Sequence, residues 1–330
     1  MQAVIEVTDS SFNHYWSELF ANDPLQNPFY SQQTSRYLRP VKSQAAFTDR
    51  SFVIINENKP VFACSLTMHV DESGRKCLGY FGLEASTHVN RLSLQSSSNN
   101  FHHVAVELLQ HHISHLIDEI KPNSLEYLDP VSCGMMSPVT QVLLEKGARP
   151  IVQTAKIIDL TLSEHALRRK ISKSQRGKIN WGQRNLDIQI YSGQKFNPSA
   201  STSLTHIFNE AIASGNSPYS SLDSYSQMIR QNKAFLVQGN YASDAIASGL
   251  FVHTDRTCHF VFGSSTQQAP DRPVMQALIW TALQHCKSLG LTRFEMGRLA
   301  HANPENTERT QLLNSFGGDS QTRLKVCLVG

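Results

Sequence analysis

Two stretches of this 330-residue chain repeat each other in order and in spacing. Ala63-Cys64-Ser65-Leu66-Thr67-Met68-His69 answers Ala247-Ser248-Gly249-Leu250-Phe251-Val252-His253. Asp71 and Cys77-Leu78-Gly79-Tyr80-Phe81-Gly82 answer Asp255 and Cys258-His259-Phe260-Val261-Phe262-Gly263, slightly tighter in the second copy. Leu125-Glu126-Tyr127 answers Phe294-Glu295-Met296; after the same interval, Leu143-Leu144 with Gly147-Ala148 answers Leu312-Leu313 with Gly317-Gly318. An offset that stays near half the chain marks the duplication of one supersecondary unit. A cleft between two such copies is the natural place for a site.

At this length two domains are expected, each large enough to bury its own core. Hydrophobic residues make up 40% of the chain, the level of an ordinary globular protein. No apolar run reaches the roughly 20 residues of a bilayer-spanning helix, and residues 1–7 lack the features of a signal peptide, so a cytoplasmic protein is expected. The six cysteines are scattered, without a Cys-x-x-Cys pair, and read as reduced, mostly buried thiols. A net charge of +3 names no partner; its distribution says more.

Periodicity and turn signals predict, in the first half, a strand at 3–7, a helix at 10–20, and strands at 52–55, 61–70 and 76–81. A polar loop at 86–100, a helix at 101–120, a strand at 125–128, a helix at 138–146 and a strand at 151–160 follow. The second half reads as strand 186–191, helices 201–213 and 222–230, strands 234–238, 245–252 and 259–262, helix 273–289, strand 293–296, helix 307–316 and strand 323–329. The result is one α/β (α+β) order of elements used twice, an antiparallel meander followed by crossovers, giving a mixed sheet flanked by helices.

That order resembles the GCN5-related N-acetyltransferase (GNAT) fold, and two such units in tandem resemble the FemABX family of peptidyl and aminoacyl transferases. The likeness is sharpest at 167–186, Leu-Arg-Arg-Lys-Ile-Ser-Lys-Ser-Gln-Arg-Gly-Lys-Ile-Asn-Trp-Gly-Gln-Arg-Asn-Leu, which is similar to the inter-domain segment of FemAB-like proteins from surface-polysaccharide loci. Phe316-Gly317-Gly318 is similar to the family's closing Phe-Gly-Gly. The chain departs from the family where members of known role usually carry Phe-Lys, since it has Leu313, Asn314 and Ser315 there. The resemblance implies two tandem GNAT-like domains, at 1–162 and 185–330, joined by a basic linker helix at 163–184.

The linker is the first candidate site. Between His165 and Asp187 there is no acidic residue, while Arg168, Arg169, Lys170, Lys173, Arg176, Lys178 and Arg184 are cationic. On one continuous helix, at about 100° per residue, Arg169, Lys173, Arg176 and Asn180 form a stripe opposite Leu167, Ile171 and Trp181. Guanidinium groups fork phosphate oxygens, so the stripe suits a polyanion such as a nucleotide-linked sugar or precursor, or a tRNA end. A solvated helix face with nothing bound fits the same residues.

Glu126 and Glu295 hold equivalent places on equivalent strands. A partly buried carboxylate at Glu295 would serve as a general base toward an attacking amine, with ion pairing to Arg293 or Arg298 as the structural alternative. Arg298 and Arg272 flank the same expected mouth, and the resemblance places Tyr219 and Tyr225 among substrate-contacting aromatics. Arg36 and Arg39, beside Tyr30 and Tyr37, are the first half's candidates for a nucleotide phosphate. Glu107, His111 and His115 recur at helical spacing, but no ligand from another element joins them, so no metal is expected.

Acetyl-CoA-dependent members of the fold hold pyrophosphate on a Gly-rich turn, where side chains must stay clear of the backbone N–H groups. The corresponding turn, 263–272, has a single glycine at its strand end, and 82–101 lacks the pattern too. No tightly bound cofactor is expected, with acyl-CoA or aminoacyl-tRNA as the donor. The resemblance implies an N-acyltransferase moving an acyl or aminoacyl group onto an amine of an activated sugar or cell-envelope precursor, in polysaccharide biosynthesis. The alternative is a non-catalytic binding module that kept the fold.

Overall fold

The computed structural model of the chain describes residues 2–38, 47–90, 92, 99–131, 136–214, 219–266, 274–299 and 307–330. The first half runs β1 (Gln2–Glu6), α1 (Phe12–Asn22), a 3-10 turn (Pro28–Tyr30), the short α2 (Gln32–Ser35), β2 (Thr48–Asp49), β3 (Phe52–Asn56), β4 (Lys59–Ser65), β5 (Thr67–Val70), β6 (Lys76–Gly79), β7 (Ala85–Val89), α3 (Asn99–Ile120), β8 (Ser124–Asp129), α4 (Pro138–Glu145) and β9 (Arg149–Asp159). Two helices follow, α5 (Glu164–Lys170) and α6 (Lys173–Asn185). The second half is β10 (Asp187–Tyr191), α7 (Pro198–Ala213), α8 (Leu222–Arg230), β11 (Ala234–Tyr241), β12 (Asp244–His253), β13 (Thr257–Ser265), α9 (Val274–Ser288), β14 (Arg293–Leu299), α10 (Thr307–Ser315) and β15 (Asp319–Val329). Helix starts follow their side chains: Ser137, Ser163, Ser172, Asn197 and Ser221 each accept an orphan N–H of the first turn, and proline opens α4 and α7.

The strands form one mixed sheet in the order β1-β3-β4-β7-β8-β15-β9-β14-β13-β12-β11-β10, with β2, β5 and β6 in a side ladder on β8. The halves exchange their last strands. β9 lies antiparallel on β14, β15 lies antiparallel on β8, and the two exchanged strands pair with each other from Asp319↔Ile157 to Cys327↔Arg149. The strand that precedes the expected boundary at 162 therefore finds its ladder partners entirely in the second half.

Alternation along these central strands separates two environments. Val326 of β15 is buried in the first-half core with Phe52, Leu109 and Tyr127, and Phe294 and Met296 of β14 are buried in the second-half core with Phe251 and Trp280. Arg323, Lys325 and Glu295 alternate with them and occupy the opposite face. A third core holds the halves together, because Phe29, Tyr30 and Tyr80 pack with Phe208, Tyr225 and Phe262. Burying side chains of this size stabilises by about 1.5–3 kcal/mol each, so this contact is a structural joint.

The strand expected at 61–70 breaks at Leu66 into β4, which pairs with β3 and β7, and β5, which pairs with β2 and β6, and two further expectations change. The stretch expected as a polar loop at 86–100 opens with β7, which pairs with β4 and β8. Its polar residues are buried because each has a partner: Ser86 Oγ donates to the Leu128 carbonyl at 3.0 Å, and the Tyr127 hydroxyl donates to Thr87 Oγ1 at 2.7 Å. His88 sits between Asp23 Oδ2 at 3.0 Å and Ser65 Oγ at 2.8 Å. The basic linker is two helices, not one. Ile171 is extended (φ −76°, ψ 135°), and Ser172 starts a new helix by accepting the Gln175 N–H.

Candidate functional site

β13 and β14 run parallel for only three pairs, Thr257–Arg293 to His259–Glu295, and then part. Val261 bulges from the ladder on the other side, where Leu250 faces Phe262 but Phe251 faces Phe260. Beyond His259, no described strand pairs with the β14 side of β13, so backbone N–H and C=O groups line an open fork. The equivalent place in the first half is closed. β6 and β7 both stay parallel on β8 (Leu78↔Leu125, Ala85↔Tyr127), and residues 80–84 absorb the change of register between them. That loop is tight: Tyr80 and Leu83 exchange backbone hydrogen bonds of 2.7 and 2.8 Å, with Phe81 and Gly82 at φ 47° and 88°. Of these two equivalent places, the second-half one alone is open among the described residues.

The loop ends at Glu84, whose carboxylate accepts from both Nη atoms of Arg298 on β14 at 2.8 Å each. Lys325 Nζ lies 3.7 Å from Glu84 and 3.0 Å from Glu126, and the Tyr30 hydroxyl donates to the Glu84 carbonyl at 2.8 Å. Burial alone would raise the Glu84 pKa, but the pair with Arg298 outweighs it and holds the carboxyl at about 2. For Arg298 burial disfavours the charge, and Glu84 more than restores it.

Glu295 lies on the same strand, at the root of the fork. It is 5% exposed, with Arg323 Nη1 and Nη2 at 2.8 and 2.5 Å from its two oxygens. Burial pushes toward a neutral acid, yet Arg323 holds the carboxyl far below the usual range. His259 Nε2 is 3.4 Å from Oε2 but out of hydrogen-bond alignment, and burial pushes that imidazole down to about 4, so it is neutral at pH 7. Arg323 Nε has no partner among the described residues; with Asp23, Tyr30, Thr87, His88 and Glu295 the side chain lines a cavity of about 20 Å³, the size of a water site.

These surroundings suit Glu295 to anchoring Arg323 better than to taking a proton, since a carboxylate held so low is a weak base. Of the other residues expected from sequence, Tyr219 lies close enough to Arg298 to act on its charge, and Tyr219 packs edge-on against Phe29 at 4.9 Å, with Phe29 in turn 6.0 Å from His259. Arg36 lies elsewhere, donating to Gln231 at 2.8 Å and resting on the Tyr37 ring. Arg39 and Arg272 lie outside the described residues. The linker stripe is divided by the helix break: Arg169 and Lys173 are exposed on different helices, while Asn180 and Arg176 bond back to Arg168, whose guanidinium lies over Trp280 at 5.4 Å. His103 and His115 pair with acids one turn on, and no cluster suited to a metal occurs among the described residues.

Sequence reasoning missed Glu84, Arg323, His259 and Tyr30. A signal existed for Arg323, because Arg323-Leu324-Lys325-Val326 alternates charge with apolar residues as a strand does when one face is buried and the other functional. None existed for Glu84, whose partner lies 214 residues away.

No family model matches the chain, and no curated protein matches it in sequence. Among solved structures, FemX matches over 98% of this chain and 96% of its own at 10% identity, with a TM-score of 0.68. A tandem GNAT protein from the clavulanic acid biosynthesis pathway matches over 99% and 98% at 10% identity and 0.55. The C-terminal domain of a putative lysylphosphatidylglycerol synthetase from Agrobacterium fabrum matches over 80% and 83% at 13% identity and 0.50. The chain has a FemAB-like tandem GNAT fold.

Proposed function

We propose that this chain is an N-acyltransferase whose donor carbonyl is held in the second-half fork while the amine acceptor approaches from the first-half side. The observation that carries the reading is that the β13–β14 ladder stops after Glu295 while β6 and β7 stay closed on β8. A neutral amine attacks a thioester or ester carbonyl, a C–N bond forms, and the thiol or hydroxyl leaves with a proton. Unpaired N–H groups on the β13 edge suit the developing oxyanion, and Arg298, one-third exposed at the mouth, adds positive charge there. Glu295, Arg323 and neutral His259 fix the root of the fork, and Tyr219 closes one wall.

The donor is an acyl-CoA or an aminoacyl-tRNA, and the acceptor is an amine on a nucleotide-linked sugar or cell-envelope precursor. A tandem GNAT protein from the clavulanic acid biosynthesis pathway and the C-terminal domain of a putative lysylphosphatidylglycerol synthetase share the fold, which supports acyl or aminoacyl transfer as the chemistry. The exposed Arg169 and Lys173 offer phosphate contacts, with Arg272 a further candidate. By this reading, 1–162 and 185–330 are two acting units around a basic linker in a cytoplasmic enzyme. No described helix is long and apolar enough to cross a membrane.

A second reading, a binding module without turnover, draws on α10, where Leu313 is fully buried and Asn314 and Ser315 put no cation beside Phe316. Mass spectrometry of the molecules that co-purify with the protein tests the donor and acceptor. A coenzyme A thioester, tRNA or nucleotide sugar is expected; absence of all three, with no binding when each is added, contradicts the proposal.

A further inference from the structure

A second pocket lies apart from the fork, across the segment 23–27. Asp23, Leu25 and Asn27 line the small cavity beside Glu295, whereas Gln26 lines this larger space of about 420 Å³. Its walls come from both halves: Trp16, Ser17, Phe20 and Ala21 of α1, Ser31 and Gln32 beyond it, and the β12–β13 turn from His253 to Arg256. The seam is pinned where the Thr254 hydroxyl donates to Gln26 Oε1 and the Thr257 hydroxyl to the Leu25 carbonyl, each at 3.2 Å. The volume falls in the range of small-molecule sites.

Three features define what fits. Trp16, Phe20 and Ala21 make an apolar wall at helical spacing. His253 approaches the Thr254 carbonyl through Nδ1 at 3.0 Å; with Nδ1–H donating there, neutral His253 keeps Nε2 as an acceptor. Asp255 and Arg256 are adjacent, exposed and of opposite sign, and neither makes an ion pair among the described residues. We propose that this pocket binds a free α-amino acid with an apolar side chain, its carboxylate on Arg256, its ammonium on Asp255 and its side chain against Trp16 and Phe20.

Isothermal titration calorimetry of the full chain with L-leucine and L-phenylalanine tests this, alongside their N-acetyl and amide forms. Saturable binding of the zwitterions is expected, weakened about tenfold or more for either blocked form, for Arg256→Gln and for Asp255→Asn. Both substitutions lie on an exposed turn, so the fold survives them. No saturable heat up to roughly 10 mM ligand overturns the proposal. Equal affinity for free and blocked forms, or undiminished binding by Arg256→Gln, overturns it as well.

Discussion

Glu84 and Arg298, 214 residues apart in the chain, meet in a two-pronged ion pair that ties the closed loop of the first half to the open fork of the second. The carboxylate is 8% exposed and the guanidinium 33%, so neither is free in water nor fully withdrawn from it. Removing one partner of a buried pair leaves the other uncompensated. Glu84→Ala should therefore cost about 3 kcal/mol, the lower end for such pairs because Arg298 keeps partial access to solvent. Urea unfolding measures this, and the double variant with Arg298→Ala should be less destabilised than the sum of the two single variants.

Acid should weaken the root of the fork in two windows. His259 has a folded pKa of about 4 against an ordinary 6.5, so the unfolded chain binds its proton first and stability falls as pH drops through that interval. Glu295 is depressed below its ordinary 4.5, so its contribution is complete above that value and is lost as pH falls further. Urea midpoints of wild type and His259→Gln, compared between pH 6.5 and 4.5, should show the wild type losing more stability than the variant.

The order of elements could be read from the repeat, since the matched segments at Ala63 and Ala247, and at Leu125 and Phe294, fall on equivalent strands. The strand exchange could not. A run such as Ile151 to Ile158 pairs equally well with β8 or β14 on pattern alone, and only the three-dimensional register selects. Ser86, Thr87 and His88 read as loop residues by polarity, whereas their hydrogen bonds let them sit inside. The basic linker was legible as composition but not as geometry, because Ser172 is both a tolerable helix residue and a strong cap.

The closing Phe316-Gly317-Gly318 is a steric requirement. Gly318 has φ +79°, and a Cβ there would stand 2.3 Å from the Ile157 carbonyl oxygen on exchanged strand β9. Gly318→Ala should lower stability by about 3 kcal/mol or more, read as a shift in the thermal or urea midpoint.

On the linker, Arg169→Ala with Lys173→Ala removes two exposed cations without touching the contacts of Arg168, Arg176 and Asn180. Binding of a nucleotide sugar or tRNA should weaken and its salt dependence should flatten, with unchanged unfolding. Equal affinity and equal salt slope would remove the linker from the site.

The most direct test of the fork is transfer itself, followed by mass spectrometry with acyl-CoA thioesters and aminoacyl-tRNA as donors over a panel of amine acceptors. Turnover is predicted with at least one donor class, reduced about tenfold or more in Arg298→Ala and retained in Arg36→Ala, whose side chain lies on Gln231 and Tyr37. Folded protein with no turnover from any donor, or with Arg298→Ala as active as wild type, would contradict the assignment of chemistry to the second-half fork.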